Sequence, residues 1–257
     1  MGIGQVKRKI HRRLTKMRLQ PVRVFCFHQV SDRYEPMYGG IENWTNTDQF
    51  KKSLIELKKK YFFVSIDEAL KHLRHDVVRI KHYAVLTCDD GYQCVLDVLP
   101  WLREQGIPIT LFLSMRYLDG KSYDPWFDSC WKELSEGEKA RLLESMYFHW
   151  DHLKTKEICS ENVTLGIHGL DHDDVSGLDE SVFGSYVDKC VSMLSGHPRY
   201  RPYYAYTWGH HSSENDQVLK SRNIIPVYCD GVNNYGFDGA VHRVWVDGDR
   251  FETANLL

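Results

Sequence analysis

Two aspartates stand side by side at the end of an apolar run in "VLTCDDGYQ", residues 85–93. Adjacent carboxylates in a dry site cannot both stay ionised without a compensating cation, because like charges at close range push one pKa up strongly. A divalent metal resolves the conflict: it takes one carboxylate as a ligand and leaves the other as a base with depressed proton affinity. Taken alone, Asp-Asp-Gly also reads as a solvated turn. The second chemical signal is "LGIHGLDHDDV", where His168 and His172 are four residues apart. On a helical or turn-like segment this spacing turns both imidazoles to one side, within reach of a single ion. One carboxylate and two imidazoles form a zinc-type catalytic set that leaves positions open to water and substrate. Either histidine by itself could equally pack or cap; the two signals together point to a metal centre.

These groups need a scaffold. Short apolar runs at 22–27, 61–66, 83–88, 108–114, 163–167, 202–208 and 224–229 read as strands, and "TDQFKKSLIELKKK", "VLDVLPWLREQ" and "LDESVFGSYVDKCVSML" between them carry helical spacing. Alternation of this kind predicts parallel βα units, as a closed barrel or an open sheet. Reactive side chains follow the strands at their C-terminal ends: His28 after "VFCF", Asp89 and Asp90 after "VLTC", His168 after "TLGI", and Trp208-Gly209-His210 after "YYAY". In a parallel barrel those ends share one face, where active sites sit.

Composition narrows the classes. The chain has 257 residues, 42% of them hydrophobic, enough for one domain with a large core. Its formal net charge of −2 gives no footprint for nucleic acid, and no apolar run approaches a membrane span. Seven cysteines form no CxxC pair, so neither a disulfide framework nor a cysteine zinc site is expected, and a cytoplasmic setting fits. The first 20 residues form a separate element, a basic helix in which Ile3, Val6, Ile10, Leu14 and Met17 recur between lysines and arginines until Pro21. It could lie on an anionic membrane surface, giving peripheral membrane contact, or pack on its own domain, residues 21–257.

From about residue 20 onward the chain resembles the polysaccharide deacetylases of carbohydrate esterase family four, the NodB-homology domain. "VRVFCFHQVS" is similar to that family's opening strand, "LTCDDGYQCVLDVLPWLREQGIPITLFLS" to its first signature, and "LGIHGLDHDDVSGLDE" to its second. The resemblance implies a distorted (β/α)7 barrel, a divalent metal, most often zinc, and hydrolysis of N-acetyl groups on amino sugars. By position, Asp90, His168 and His172 would hold the metal and Asp89 would be the general base. "YAYTWG" at 204–209 stands at the third signature, so the backbone N–H of Trp208 would face the developing oxyanion. The departures are Cys88 for phenylalanine, Gly169 for serine or threonine, Ala205 for arginine, and Thr207 for a proline; none removes a metal ligand. The late histidine motif that often supplies the general acid is missing. His28 is the candidate acid, with His210 and His211 as competitors, and Arg243 is a candidate to orient Asp89 in place of the missing arginine. Tyr92, Trp126, Trp208 and Tyr235 are candidates to stack on sugar faces. The expected reaction is N-deacetylation of a surface polysaccharide such as O-antigen or capsule, or of its precursor. Hydrolysis of another acyl or formyl amide on a nucleotide sugar or lipid-linked glycan, and a catalytically silent carbohydrate-binding protein, are the alternatives.

Overall fold

The computed structural model describes residues 20–35, 40–74, 81–120, 132, 134–248 and 250. The expected N-terminal helix and Trp126 lie outside these residues. Strands β1 (Arg23–Phe27), β2 (Gln29–Ser31), β3 (Trp44–Asn46), β4 (Phe62–Phe63), β5 (Tyr83–Cys88), β6 (Ile109–Leu113), β7 (Val163–Ile167), β8 (Tyr200–Ala205), β9 (Ile225–Tyr228), β10 (Val241–His242) and β11 (Val244–Trp245) alternate with helices. The helices are α1 (Thr47–Lys60), α2 (Ile66–Arg74), α3 (Leu99–Glu104), α4 (Glu136–Met146), α5 (Glu180–Leu194) and α6 (Ser213–Ser221).

The main sheet runs β10-β9-β8-β7-β6-β5-β1-β11, with β4 beside β5, and its pairings are parallel. Its two ends are consecutive in sequence. Residues 241–242 pair with β9 and residues 244–245 with β1, so one stave, interrupted at Arg243, closes the ring. With β10 and β11 counted as that stave, and β4 as a short addition to β5, the ring has seven staves. The fold is therefore the distorted (β/α)7 barrel of the NodB-homology type. Strands such as β7 are buried along their whole length, as parallel strands covered on both faces must be.

Period-two alternation sorts the strand residues into two layers. Phe25, Phe27, Leu86, Leu111 and Ile167 face outward into the core layer that also holds Phe50, Leu54 and Leu57 of α1. Val24, Val85, Phe112, Val227 and Val241 face inward, where Ile66, Ala69, Leu70 and Leu73 of α2 join them. The same inward register, continued toward the C-terminal ends, carries Cys26 and His28, Thr87 and Asp89, Cys229, and Arg243. The barrel interior is thus apolar at the α2 end and polar at the opposite rim.

Three elements differ from the sequence reading. The run 61–66 is a strand only over Phe62–Phe63, because Ile66 already opens α2, whose acidic first turn and basic last turn complement the helix dipole. The amphipathic stretch at 95–105 divides into a 3-10 segment at Gln93–Val98 and α3, which carries Pro100 in its first turn, where the ring blocks no intrahelical bond. β8 ends at Ala205, and Thr207–Gly209 form a tight turn around Trp208, whose φ is 59°. α1 spans the residues its spacing predicts, with Asn46 as N-cap accepting from the backbone N–H of Asp48 and Gln49. No helix among the described residues is long and apolar enough to cross a membrane.

Candidate active site

The register places the reactive residues on one rim. Asp89 follows β5 and its backbone N–H donates to Phe27 O at 3.0 Å, which sets it beside His28. His168 follows β7 and its N–H donates to Leu113 O at 2.8 Å. The chain then bends sharply: Asp90 has φ 70° and Gly91 φ 82°. At Gly91 an added Cβ would come within 3.0 Å of Leu113, so the turn needs glycine for space as well as for conformation. Asp89 and Asp90 are 3% and 8% exposed, which excludes the solvated turn.

Asp90, His168 and His172 converge. Asp90 Oδ1 lies 3.1 Å from Nε2 of His168 and 3.1 Å from Nε2 of His172, and one ligand atom from each residue falls within 4.8 Å of the others. His168 Nδ1 donates to Ala205 O at 2.9 Å, which fixes the tautomer and turns the Nε2 lone pair toward Asp90. Asp90 Oδ1 is buried, and no hydrogen-bond donor among the described residues satisfies it. A buried carboxylate oxygen facing two imidazole nitrogens is a donor set that fits a divalent cation. Burial pushes the Asp90 carboxyl up, but the imidazoles of His172 and His168 hold it well below the usual carboxylate range, so it stands ready as an anionic ligand.

The spacing of His168 and His172 works through a loop rather than a helix. Gly169 has φ 82° and His172 φ 59°, and the Tyr186 hydroxyl accepts from the N–H of Leu170 at 2.6 Å and of Asp171 at 3.1 Å. The turn after β8 clasps this loop. Trp208 Nε1 donates to His172 O at 3.0 Å, the Thr207 hydroxyl donates to Asp173 O at 2.5 Å, and His210 Nδ1 donates to Asp174 Oδ2 at 2.7 Å. Asn215 of α6 continues the series, donating to Val175 O at 2.7 Å. The Trp208 ring stands edge-on to His172, 4.9 Å between centroids, and remains 48% exposed.

Arg243 and Asp89 form a buried fork. Arg243 Nη1 lies 2.6 Å from Asp89 Oδ1 and Nη2 2.8 Å from Oδ2, with Nη1 also donating to Thr87 Oγ1 at 3.2 Å. Arg243 is fully buried and lies over the Phe112 ring, 5.1 Å from its centroid. Burial raises the Asp89 pKa, but the Arg243 guanidinium, with His168 and His28, brings it below the usual value, so Asp89 is ionised at neutral pH. Cys26, His28 and Asp89 also come close enough to share an ion. Both oxygens of Asp89 are already engaged by a guanidinium, and a second cation there would meet that fixed positive charge.

His28 lines the same cleft. Its Nδ1 donates to Asp247 Oδ2 at 2.6 Å, and its backbone N–H donates to Asp247 Oδ1 at 3.0 Å. Trp245 Nε1 donates to the same carboxylate at 2.5 Å. Burial alone would lower the imidazole pKa; the Asp247 carboxylate, with help from Asp90 and Asp89, outweighs it and raises it to about 9. For Asp247 burial wins and its pKa lies above the ordinary value, although His28 and Trp245 oppose the rise. Sequence reading missed Asp247: it lies 219 positions from His28, and no motif or spacing links the two.

The cleft, of about 300 Å³, is lined by Asp89, Asp90, His168, His172, His28 and Trp208, and also by Tyr92, Tyr206, Trp245 and Cys229. The competing acids stand outside this lining: His210 pairs with Asp174, and His211 stacks on Tyr228 with centroids 4.1 Å apart. Of the proposed sugar platforms, Tyr92 and Trp208 reach the cleft, whereas Tyr235 is an exposed residue away from it. Trp245 and Tyr206 are aromatic linings that the strand patterns did not single out.

A search of curated proteins by sequence found no match. Among solved structures the chain is similar to IcaB from Ammonifex degensii, with TM-score 0.73, 20% identity, and coverage of 92% of this chain and 96% of that one. It is also similar to a de-N-acetylase from Aggregatibacter actinomycetemcomitans, with TM-score 0.68, 14% identity, and coverage of 91% and 99%. The BpsB deacetylase domain from Bordetella bronchiseptica matches with TM-score 0.66 and 16% identity over 89% and 96%. At these identities the likeness establishes the fold. The polysaccharide deacetylase family model matches residues 77–225, more than half of the chain. That span contains Asp89, Asp90, His168, His172 and Trp208, while His28, Arg243 and Asp247 lie outside it. On this match the chain belongs to the polysaccharide deacetylase family.

Proposed function

We propose that the chain is a metal-dependent hydrolase that removes N-acetyl groups from amino sugars of a surface polysaccharide, such as O-antigen or capsule, or of its precursor. The observation that carries this reading is the buried, donor-less Asp90 Oδ1 facing two imidazole nitrogens, beside a second carboxylate already neutralised by Arg243. Asp90, His168 and His172 would hold the cation, proposed as zinc for its preference for this donor set and its lack of redox chemistry. When bound, the ion supplies Lewis acidity toward the scissile carbonyl and toward water.

The chain's own residues do the rest. Asp89, ionised and held by both oxygens, takes the proton of the attacking water; Arg243 fixes its orientation and depresses its basicity enough to release the proton later. The backbone N–H of Trp208 is the proposed second donor to the oxyanion, a contact of a kind worth about 3–4 kcal/mol in the transition state. His28, protonated through Asp247, gives its proton to the departing sugar amine, since an amide nitrogen leaves poorly without one. Trp208 and Trp245 would flank the sugar ring at the cleft mouth.

Zinc-loaded protein incubated with N-acetylated amino-sugar oligomers should release acetate, and Asp89→Asn should slow the release by about 10²–10⁴ while keeping the metal. Release of formate or another acid, with no acetate, would replace the acetyl assignment by another acyl amide. Metal binding with no acid released from any glycan would overturn the hydrolase reading in favour of a silent carbohydrate binder.

A further inference from the structure

The short strands that follow His28 bring a third carboxylate into the cleft. β3 pairs in parallel with β2, Trp44 opposite Gln29, so one step back along both segments Asn43 comes level with His28. The 3-10 turn Ile41–Asn43 therefore borders the catalytic rim, and Gly40, Glu42 and Asn43 line the cleft. The turn is pinned: the Asn43 N–H donates to Gly40 O at 3.0 Å, and behind it Trp44 Nε1 donates to Ser31 Oγ at 2.9 Å. Gly40 has an ordinary φ of −64°, yet a Cβ there would overlap the Glu42 carboxylate. The glycine thus leaves the space into which that carboxylate folds. Asp89 and Asp90 are the other carboxylates of the lining; Arg243 neutralises the first, and two imidazoles face the second. Glu42 is exposed, and no lysine, arginine or histidine among the described residues pairs with it. A solvent-facing anion left unmatched in a substrate cleft complements a cationic ligand.

We propose that Glu42 is a specificity residue that binds the free ammonium of an amino sugar flanking the one under hydrolysis, so that partly de-N-acetylated glycans are preferred. On the N-deacetylase reading, on which this rests, loss of the acetyl group converts a neutral amide into an amine that is protonated at neutral pH. The reaction itself therefore makes the ligand. An ammonium is repelled at the reacting centre, where the proposed cation and the His28 imidazolium held by Asp247 already stand. At Glu42 it meets the opposite charge. The ring separates the two ends of the cleft: β1, from which this arm departs, and β8, which precedes Trp208, are three staves apart, the most that seven allow. A glycan laid across the rim from Trp208 toward the β2–β3 arm sets a neighbouring sugar beside Glu42. An exposed ammonium–carboxylate pair of this kind contributes a preference of about two- to fivefold, and salt weakens it.

The test reads binding without turnover, so its failure is distinct from failure of the hydrolase reading, which acetate release decides. Kd is measured by calorimetry at low salt for the full-length zinc-loaded protein with a glucosamine tetrasaccharide and with the glucose tetrasaccharide of the same linkage, neither of which carries an amide. The wild-type chain should prefer the amine sugar, and the preference should shrink as salt rises. Glu42→Gln should reduce the ratio of the two Kd values by about two- to fivefold. Gly40→Ala should do the same while keeping the charge, because its Cβ displaces the carboxylate. Both variants should melt at the wild-type temperature, since the carboxylate they remove or displace is exposed. A wild-type chain with no preference for the amine sugar, or an undiminished preference in Glu42→Gln, would overturn the proposal.

Discussion

Replacing Asp247 with asparagine isolates the device that keeps His28 protonated. Asparagine preserves the size of the side chain and an oxygen to accept from His28 Nδ1, but removes the charge that outweighs burial. The wild-type shift, from an ordinary 6.5 to about 9, corresponds to about 3 kcal/mol in favour of the imidazolium. Because the folded value is raised, this stabilisation is complete below pH 6.5 and is lost as pH rises through about 9. Without the carboxylate, and with Asp90 offset by the bound cation and Asp89 by Arg243, burial dominates and takes the imidazole below 6.5. The acid-competent form then survives at pH 7.5 in less than about a tenth of the molecules, so turnover there should fall by about tenfold or more. A bound cation lowers the His28 titration in both proteins, so the comparison between them carries the test. The assay is kcat/KM for acetate release from pH 5.5 to 10. The alkaline limb of Asp247→Asn should lie at least two pH units below that of the wild type. Coincident alkaline limbs would show that His28 is not the acid, or that Asp247 does not control it.

Three further outcomes follow from the geometry. Asp89→Asn should keep stoichiometric metal, measured by elemental analysis, and lose about 10²–10⁴ in kcat, the usual size of a general-base contribution. Trp208→Phe keeps the ring but removes the donor to His172 O, so zinc affinity from competition titration should weaken by about tenfold while the melting temperature of the metal-free protein barely moves. Gly166→Ala would put a Cβ within 2.5 Å of the Phe112 ring and 3.3 Å of Tyr203 O inside the barrel, and should lower unfolding free energy by about 1–3 kcal/mol in urea titrations.

The parts of the molecule legible in sequence are those in which local pattern and tertiary role agree. β5 and β7 are continuous apolar runs because both of their faces are covered, and α1 has both its cap and its amphipathic face within its own residues. The clustering of His28, Asp89, Asp90, His168, His172 and Trp208 around one cleft follows from a simple rule, that parallel strand ends share a rim. Where the rule needs partners distant in sequence, the reading gives out. The closing stave carries no strand signal in sequence, because two two-residue halves around an arginine give no period. The start of α2 reads as strand in sequence, since "FVSI" has β-branched and aromatic character and only Asp67 and Glu68 mark the helix start. Asp247 was invisible, because its partner is at the other end of the chain and meets it only after the ring closes.

Anomalous diffraction at the zinc edge from crystals of the zinc-loaded protein tests the metal centre most directly. The account predicts one strong peak within about 2.0–2.2 Å of Asp90 Oδ1 and of Nε2 of His168 and His172, with Asp89 still gripped by Arg243 and outside the coordination sphere. A peak elsewhere, or none at this cluster in crystals whose protein releases acetate, would contradict it.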